Sequence, residues 1–113
     1  MIQSQRTLER LNNELTLKRT ALITALAQSN NLAHHSLLHT LKMSNPEHWL
    51  ELTEQQLGSE YHELITRLEK LEAAVCQIEI GQYGYCCDCE EKIDAQRLIA
   101  DPANQRCSKC EPD

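Results

Sequence analysis

Phenylalanine is absent from this chain of 113 residues, and one Trp and three Tyr bring the aromatic share to only 4%. A large aromatic core is therefore excluded. Gly and Pro are scarce as well, three of each, which rules out a collagen-like, linker-like or turn-rich β protein. No run of about 18 apolar residues occurs, so no transmembrane span is expected. Met1-Ile2-Gln3-Ser4-Gln5-Arg6 leads into polar sequence without the apolar centre of a signal peptide, and a cytoplasmic location is expected. Basic residues are in the minority. A net charge of −6 argues against direct binding to nucleic acid or an anionic membrane, where clustered Lys and Arg must neutralise phosphates.

What remains is a helix-forming composition. Hydrophobic residues make up 41% of the chain and are mostly Leu, Ile and Ala. The length suits one domain, or a small core with an extended arm. Charge divides along the chain: residues 1–43 carry a net +3, residues 44–80 a net −6 and residues 81–113 a net −3.

The first segment reads as a long helix. Leu8, Leu11, Leu15, Leu22 and Leu26 follow helical steps, with Lys18 at one apolar position, and Ala33, Leu37 and Leu41 continue the stripe. Gln28-Ser29-Asn30-Asn31 interrupts it as a bend or a frayed stretch. In the second segment Leu50, Leu57, Tyr61, Leu64, Leu68, Leu71, Val75 and Ile78 step by 7, 4, 3, 4, 3, 4 and 3, a heptad pattern. Two start signals compete there. Asn45 is placed as an N-cap with Pro46 as first helical residue, and Thr53 with Gln56 has capping-box spacing. A stop is expected near Gly81 and Gly84. Two long helices joined by a short connection run antiparallel, each roughly 50–60 Å long at 1.5 Å per residue. The expected fold is thus mostly α: an antiparallel two-helix coiled-coil hairpin over residues 1–80, with its tip at about 43–53, followed by a small lobe over 81–113. Such an arm is either a structural or oligomerising coiled coil, or a rigid lever that carries its tip to a distant site.

Six cysteines are present, and four of them pair up as Cys86/Cys89 and Cys107/Cys110, a C-x2-C-x17-C-x2-C pattern. Each pair forms a turn that points two sulfurs at one ion, and four thiolates complete the tetrahedron of a structural Zn2+. In a reducing compartment this reads as metal ligation before disulfides. Iron–sulfur spacing is different, and a redox pair stands alone beside a βαβ pattern that is missing here. The lobe's few apolar residues, Ile93, Leu98 and Ile99, leave its folding dependent on the metal. Cys76 and Cys87 are surplus; Cys87 is a candidate thiol sensor, and it competes with its neighbours as a ligand, although only Cys86 and Cys89 give two matched gaps.

The heptad helix running into Gly81-Gln82-Tyr83-Gly84-Tyr85-Cys86, then Cys89, then Arg97-Leu98-Ile99-Ala100-Asp101-Pro102, then Cys107 and Cys110, resembles the DksA/TraR family. The close match covers about 81–110. The resemblance implies a bacterial or phage transcription regulator that docks on RNA polymerase, inserts its coiled-coil tip in the secondary channel and does not touch DNA. It also points to three departures. The family's tip carries a D-x-x-D-x-A motif, whereas the matching stretch Met43-Ser44-Asn45-Pro46-Glu47-His48 has neither Asp. The family's second helix is rich in basic residues, some of which bind ppGpp; here only Arg67 and Lys70 remain, which argues against an alarmone response. The sequence ends at Asp113, short of the family's C-terminal helix.

Asn45, Glu47, His48 and Trp49 are the candidate partner-binding residues at the tip, Trp being enriched at contact hot spots. For Trp49 a second reading stays open, in which the ring folds back on Leu41 and Leu50 to close the hairpin. His34, His35 and His39 lie nearby, with His35 and His39 one turn apart, a spacing that suits a metal; solvated or lightly packed histidines are the expectation. His62-Glu63 lacks the second His of a metalloprotease helix. No Ser–His–Asp arrangement, phosphate-binding Gly loop or paired carboxylates occur, and a two-helix arm offers no deep pocket, so no enzyme is expected. The alternative to a polymerase regulator is a zinc-stabilised interaction module that has lost the acidic tip.

Overall fold

A computed structural model describes residues 2–54 and 56–111. It is mostly helical: α1 (Ile2–Gln28), α2 (Leu32–Lys42), α3 (Trp49–Thr53), α4 (His62–Glu79) and α5 (Ala95–Ala100), with short 3-10 turns at Pro46–His48 and Ser59–Tyr61. No strand occurs among the described residues; an isolated antiparallel bridge joins Tyr85 to Lys92. No described helix is long and apolar enough to cross a membrane. The chain divides into two compact units, one of Met1–Glu14 with Lys70–Asp113 and one of Leu15–Glu69.

In the unit Leu15–Glu69, Leu15, Leu22 and Leu26 are buried as their helical spacing requires. Lys18 is half-buried in the same stripe, where its methylene stem covers apolar surface while the ammonium stays wet. α1 stops at Gln28 because polar side chains offer the backbone other partners. The Ser29 hydroxyl accepts from the Asn31 N–H at 3.1 Å and pairs with His34 Nδ1 at 2.7 Å. The Asn31 side chain accepts from the Ala33 N–H at 2.9 Å and so caps α2. His35 Nε2 donates to the Ser29 carbonyl at 2.6 Å.

This interruption changes one position of the stripe. Leu37 and Leu41 are buried as their spacing requires, whereas Ala33, an apolar position in the sequence pattern, is exposed and His34 is buried in its place. The His34 ring meets Tyr61 edge-on with centroids 5.4 Å apart, and its Nε2 lies 4.0 Å from Glu60 Oε1.

The heptad run of residues 50–78 does not form one helix. Of the two start signals, Asn45 acts: its side chain accepts from the Glu47 N–H at 3.2 Å, with Pro46 at the first position of the turn. Thr53 is not a cap. It is buried, and its hydroxyl donates back to the Leu50 carbonyl at 3.2 Å. The helix ends there, and regular α-helix resumes only at His62, after Gly58, the kind of residue that contributes least to a helix. Leu68 is the buried member of the run in this unit, while Leu50, Leu57, Tyr61 and Leu64 are half-buried.

In the unit Met1–Glu14 with Lys70–Asp113, Leu11, Leu71 and Ala74 are fully buried, and Val75 and Ile78 are half-buried. The stop at Gly81 takes the form of a double-bonded helix end: the Gln82 N–H donates to Gln77 O at 2.8 Å and the Gly81 N–H to Ile78 O at 3.2 Å. This closure needs a left-handed residue, and Gly81 has φ 77°. Farther on, Asp94 caps α5 by accepting from the Gln96 N–H at 3.0 Å. Cys86, Ile93 and Cys107 form a small buried cluster with Leu98 packed against it.

A Cβ at Gly81 would meet nothing within 4 Å, so the cost of Gly81→Ala is backbone strain alone. We expect a loss of about 1–2 kcal/mol, read from the urea midpoint of the zinc-loaded protein with helicity nearly unchanged. Gly58→Ala, in open space and extended backbone, should be neutral or stabilising by about 0.4–1 kcal/mol. Equal midpoints for the two variants would remove the left-handed stop from the account.

Candidate metal centre

Two turns bring the sulfurs together. In the first, the Ile93 N–H donates to Gly84 O at 2.8 Å, the Cys86 N–H to Glu91 O at 2.7 Å and the Glu90 N–H to Cys86 O at 2.9 Å. The chain reverses at Glu90, which sits at φ 65°, a left-handed position unusual for Glu. In the second, the Cys110 and Glu111 N–H groups both donate to Cys107 O, at 3.2 and 2.9 Å.

The turns are tied to each other. The Cys87 N–H donates to Gln105 O at 2.8 Å. Arg106 Nε meets Asp88 Oδ2 at 2.8 Å, and Arg106 Nη1 lies 3.7 Å from Glu111 Oε2. The Gln105 side chain reaches the Lys70 carbonyl of α4 at 2.9 Å. Asn104 Nδ2 donates to Arg97 O at 3.0 Å, and the Tyr83 hydroxyl to Pro102 O at 2.7 Å, so the segment after α5 is pinned as well.

The outcome is a cluster of Cys86, Cys89, Cys107 and Cys110 whose sulfurs all lie within 4.8 Å of one another. Cys89 Sγ and Cys107 Sγ are 3.6 Å apart. A tetrahedron with zinc–sulfur bonds of about 2.3 Å has edges of about 3.8 Å, whereas a disulfide needs about 2.05 Å. The donor set therefore fits a four-coordinate soft-metal site and does not fit two disulfides. With all four positions filled by protein, no place is left for a reacting group.

The thiols are graded by their surroundings. The Cys89 backbone N–H, with those of Cys107 and Asp88, holds the Cys86 thiol down to about 6. The Cys110 N–H lowers Cys107 in the same way. Cys110 is pushed up, chiefly by sharing a proton with Cys107 and then with Cys86 and Cys89. At Cys89 the Glu91 N–H favours the thiolate, but desolvation and the sulfurs of Cys107 and Cys86 outweigh it, and the thiol is raised.

The surplus cysteines stand outside this cluster. Cys87 is exposed, with its sulfur 3.8 Å from Asp88 Oδ1. Desolvation, together with Asp88 and Cys86, raises its thiol against the pull of Arg106, which works against thiolate reactivity. Cys76 is exposed on α4. Among the described residues no second group of His, Cys, Asp or Glu suits a metal ion.

The candidate tip residues lie together in the turn between α2 and α3. Asn45, Glu47 and His48 are exposed. Trp49 is half-buried: its Nε1–H donates to Leu41 O at 3.0 Å and approaches Ser44 O at 3.4 Å. Of the two readings open for Trp49, this geometry is the folded-back one. His39 is exposed, while His34 and His35 anchor the Ser29 bend. That anchoring role goes beyond the solvated or lightly packed histidines expected; the Ser29-Asn30-Asn31 turn residues ahead of His34 were the available signal.

Residues 81–113 match the prokaryotic dksA/traR C4-type zinc finger. An uncharacterized protein of Aquifex aeolicus (strain VF5) is 34% identical over 70 residues, which cover 58% of this chain and 48% of that protein. The chain thus spans about half the length of the curated relative it matches. No solved structure matches it. The match and the sulfur cluster agree: the C-terminal segment is a DksA/TraR-type C4 finger, and its centre is a single structural zinc site.

Protein purified under reducing conditions should carry close to one equivalent of zinc. Cys107→Ser should lower that well below half and unfold the lobe, seen as lost amide dispersion for residues 84–110, because metal binding supplies much of its folding free energy. Cys87→Ser should leave zinc content and dispersion unchanged. Zinc lost equally from both variants would break the assignment of Cys86 and Cys89 as the first pair.

Proposed function

We propose that the protein is a zinc-dependent regulator that binds RNA polymerase, with the stretches α1–α2 and α3–α4 acting as the two arms of an antiparallel coiled-coil hairpin. The single observation that carries this reading is the C4 finger, whose sulfur cluster and sequence match that of the DksA/TraR family. The α2–α3 turn enters the secondary channel, presenting Asn45, Glu47 and His48. Three further features support it. The buried leucines follow heptad-like spacing on α1. The surface is acidic, with a net charge of −6, which disfavours DNA as the direct contact. The four-coordinate centre offers no open position for catalysis; the protein is not an enzyme on this reading. Its compartment is the cytoplasm, where the polymerase is.

One observation favours a second reading. Trp49 points inward and neither Asp of the family's tip motif occurs in Met43–His48, which suits an interaction module that keeps the shape without regulating polymerase.

Pull-down with bacterial core RNA polymerase separates the two. The first reading expects retention at about micromolar protein, the same with and without ppGpp, since only Arg67 and Lys70 remain on the second arm. It also expects Glu47→Ala and His48→Ala to change open-complex lifetime in vitro without changing helicity or zinc content. No retention would favour the second reading; retention with unaltered lifetimes in both variants would take the turn out of the mechanism.

A further inference from the structure

A cleft of about 510 Å3 opens within the unit that joins Met1–Glu14 to Lys70–Asp113. The first turns of α1 supply Arg6 and Arg10 to it, α5 supplies Leu98 and Ile99, and Tyr83 and Gly84 are also part of its lining. Its apolar part is ready for a partner. The Tyr83 hydroxyl is used on Pro102 O at 2.7 Å, so only the ring is offered. Leu98 rests on the finger core. Ile99 is 70% exposed, so its side chain is accessible to a partner.

The polar part is cationic and held in place. Arg10 Nη1 donates to Ile99 O at 3.3 Å, which places the guanidinium beside the exposed Ile99. Arg6 has no partner among the described residues. No carboxylate lines the cleft, although acidic residues outnumber basic ones 17 to 11 in the chain.

We propose that this cleft docks a short extended segment of a partner protein, one that presents an apolar side chain beside a carboxylate. The fork of a guanidinium matches a carboxylate, and the exposed Ile99 with the Tyr83 ring and Leu98 matches an aliphatic neighbour. The cleft is open at Ile99, so it cannot enclose a small molecule on most sides as a cofactor pocket does. Two arginines are too few for a phosphate track. The proposal rests on the cleft alone and stands whether or not the partner is RNA polymerase.

The test uses the zinc-loaded full chain, labelled with 15N, and two end-blocked hexapeptides, one alternating leucine with glutamate and one alternating leucine with glutamine. The glutamate peptide should shift the amides of Gly84, Leu98 and Ile99, and should bind about fivefold or more tighter than the glutamine peptide. Arg6→Gln, at an exposed position, should narrow that ratio, and Arg6→Gln with Arg10→Gln should abolish it. Ile99→Ser, also at the surface, should weaken both peptides. Three results would overturn the proposal. These are equal affinity for the two peptides, no shift at those amides at millimolar peptide, or decanoate shifting them at lower concentration than the peptide, which would make the cleft a small-molecule carboxylate site.

Discussion

Four sulfurs converging on one point is the constraint from which the C-terminal lobe follows. The lobe's own apolar cluster is Cys86, Ile93 and Cys107 with Leu98 beside it, and two of those are metal ligands. Removing the ion therefore removes the centre of the core as well as a cross-link. Small lobes without a sufficient apolar core depend on such a staple. The staple here closes a gap of 17 residues between the two cysteine pairs. The left-handed Glu90 persists for the same reason: strain at one residue is tolerated where the surroundings over-determine the turn.

From that point the order spreads outward through polar contacts. Asp88 and Glu111, each one residue from a ligand, share Arg106. Gln105 takes the Cys87 N–H on its carbonyl and passes its side-chain amide to the Lys70 carbonyl of α4. These ion pairs are half-exposed and individually worth little, about 0–1 kcal/mol each. Their effect is positional. They fix the distance between the two cysteine turns and connect the ligands to backbone atoms of a regular helix, a more rigid support than a loop. Such couplings have no periodic signature, because Asp88 and Arg106 are 18 residues apart.

That contrast explains which parts of the structure were legible in the sequence. Features set by a few consecutive residues were readable. The cysteine pairs, the Asn45-Pro46 cap and the Gly81 stop each require specific residue types at fixed offsets. The buried leucines of α1 were readable from period alone. The interruptions were harder. A heptad count records only polarity, so it carried residues 50–78 through as one helix, whereas Thr53 turns its hydroxyl back on Leu50 O and ends the run. At Ser29 and Asn31 the side chains compete with the helix for backbone partners, and the apolar stripe resumes at Leu37 and Leu41 as its spacing requires, with Ala33 alone out of place. His34 is buried where Ala33 stood in the pattern.

The α2–α3 turn shows why a finger of known type does not by itself assign an activity. A turn that works by contact needs side chains directed outward. Trp49, the residue best suited to a contact, spends its indole N–H on Leu41 O. A half-buried indole whose N–H is already bonded has less to offer a partner, so Trp49 serves as the brace and not the probe. What remains for a partner is one carboxylate at Glu47, one imidazole at His48 and the amide of Asn45, already used as a cap. A rigid turn with a single carboxylate exerts a weaker field than one with two Asp, but it is better preorganised than a mobile one, and preorganisation lowers the entropic cost of binding. On the proposed reading, Glu47 and His48 are the exposed side chains left to act on a partner.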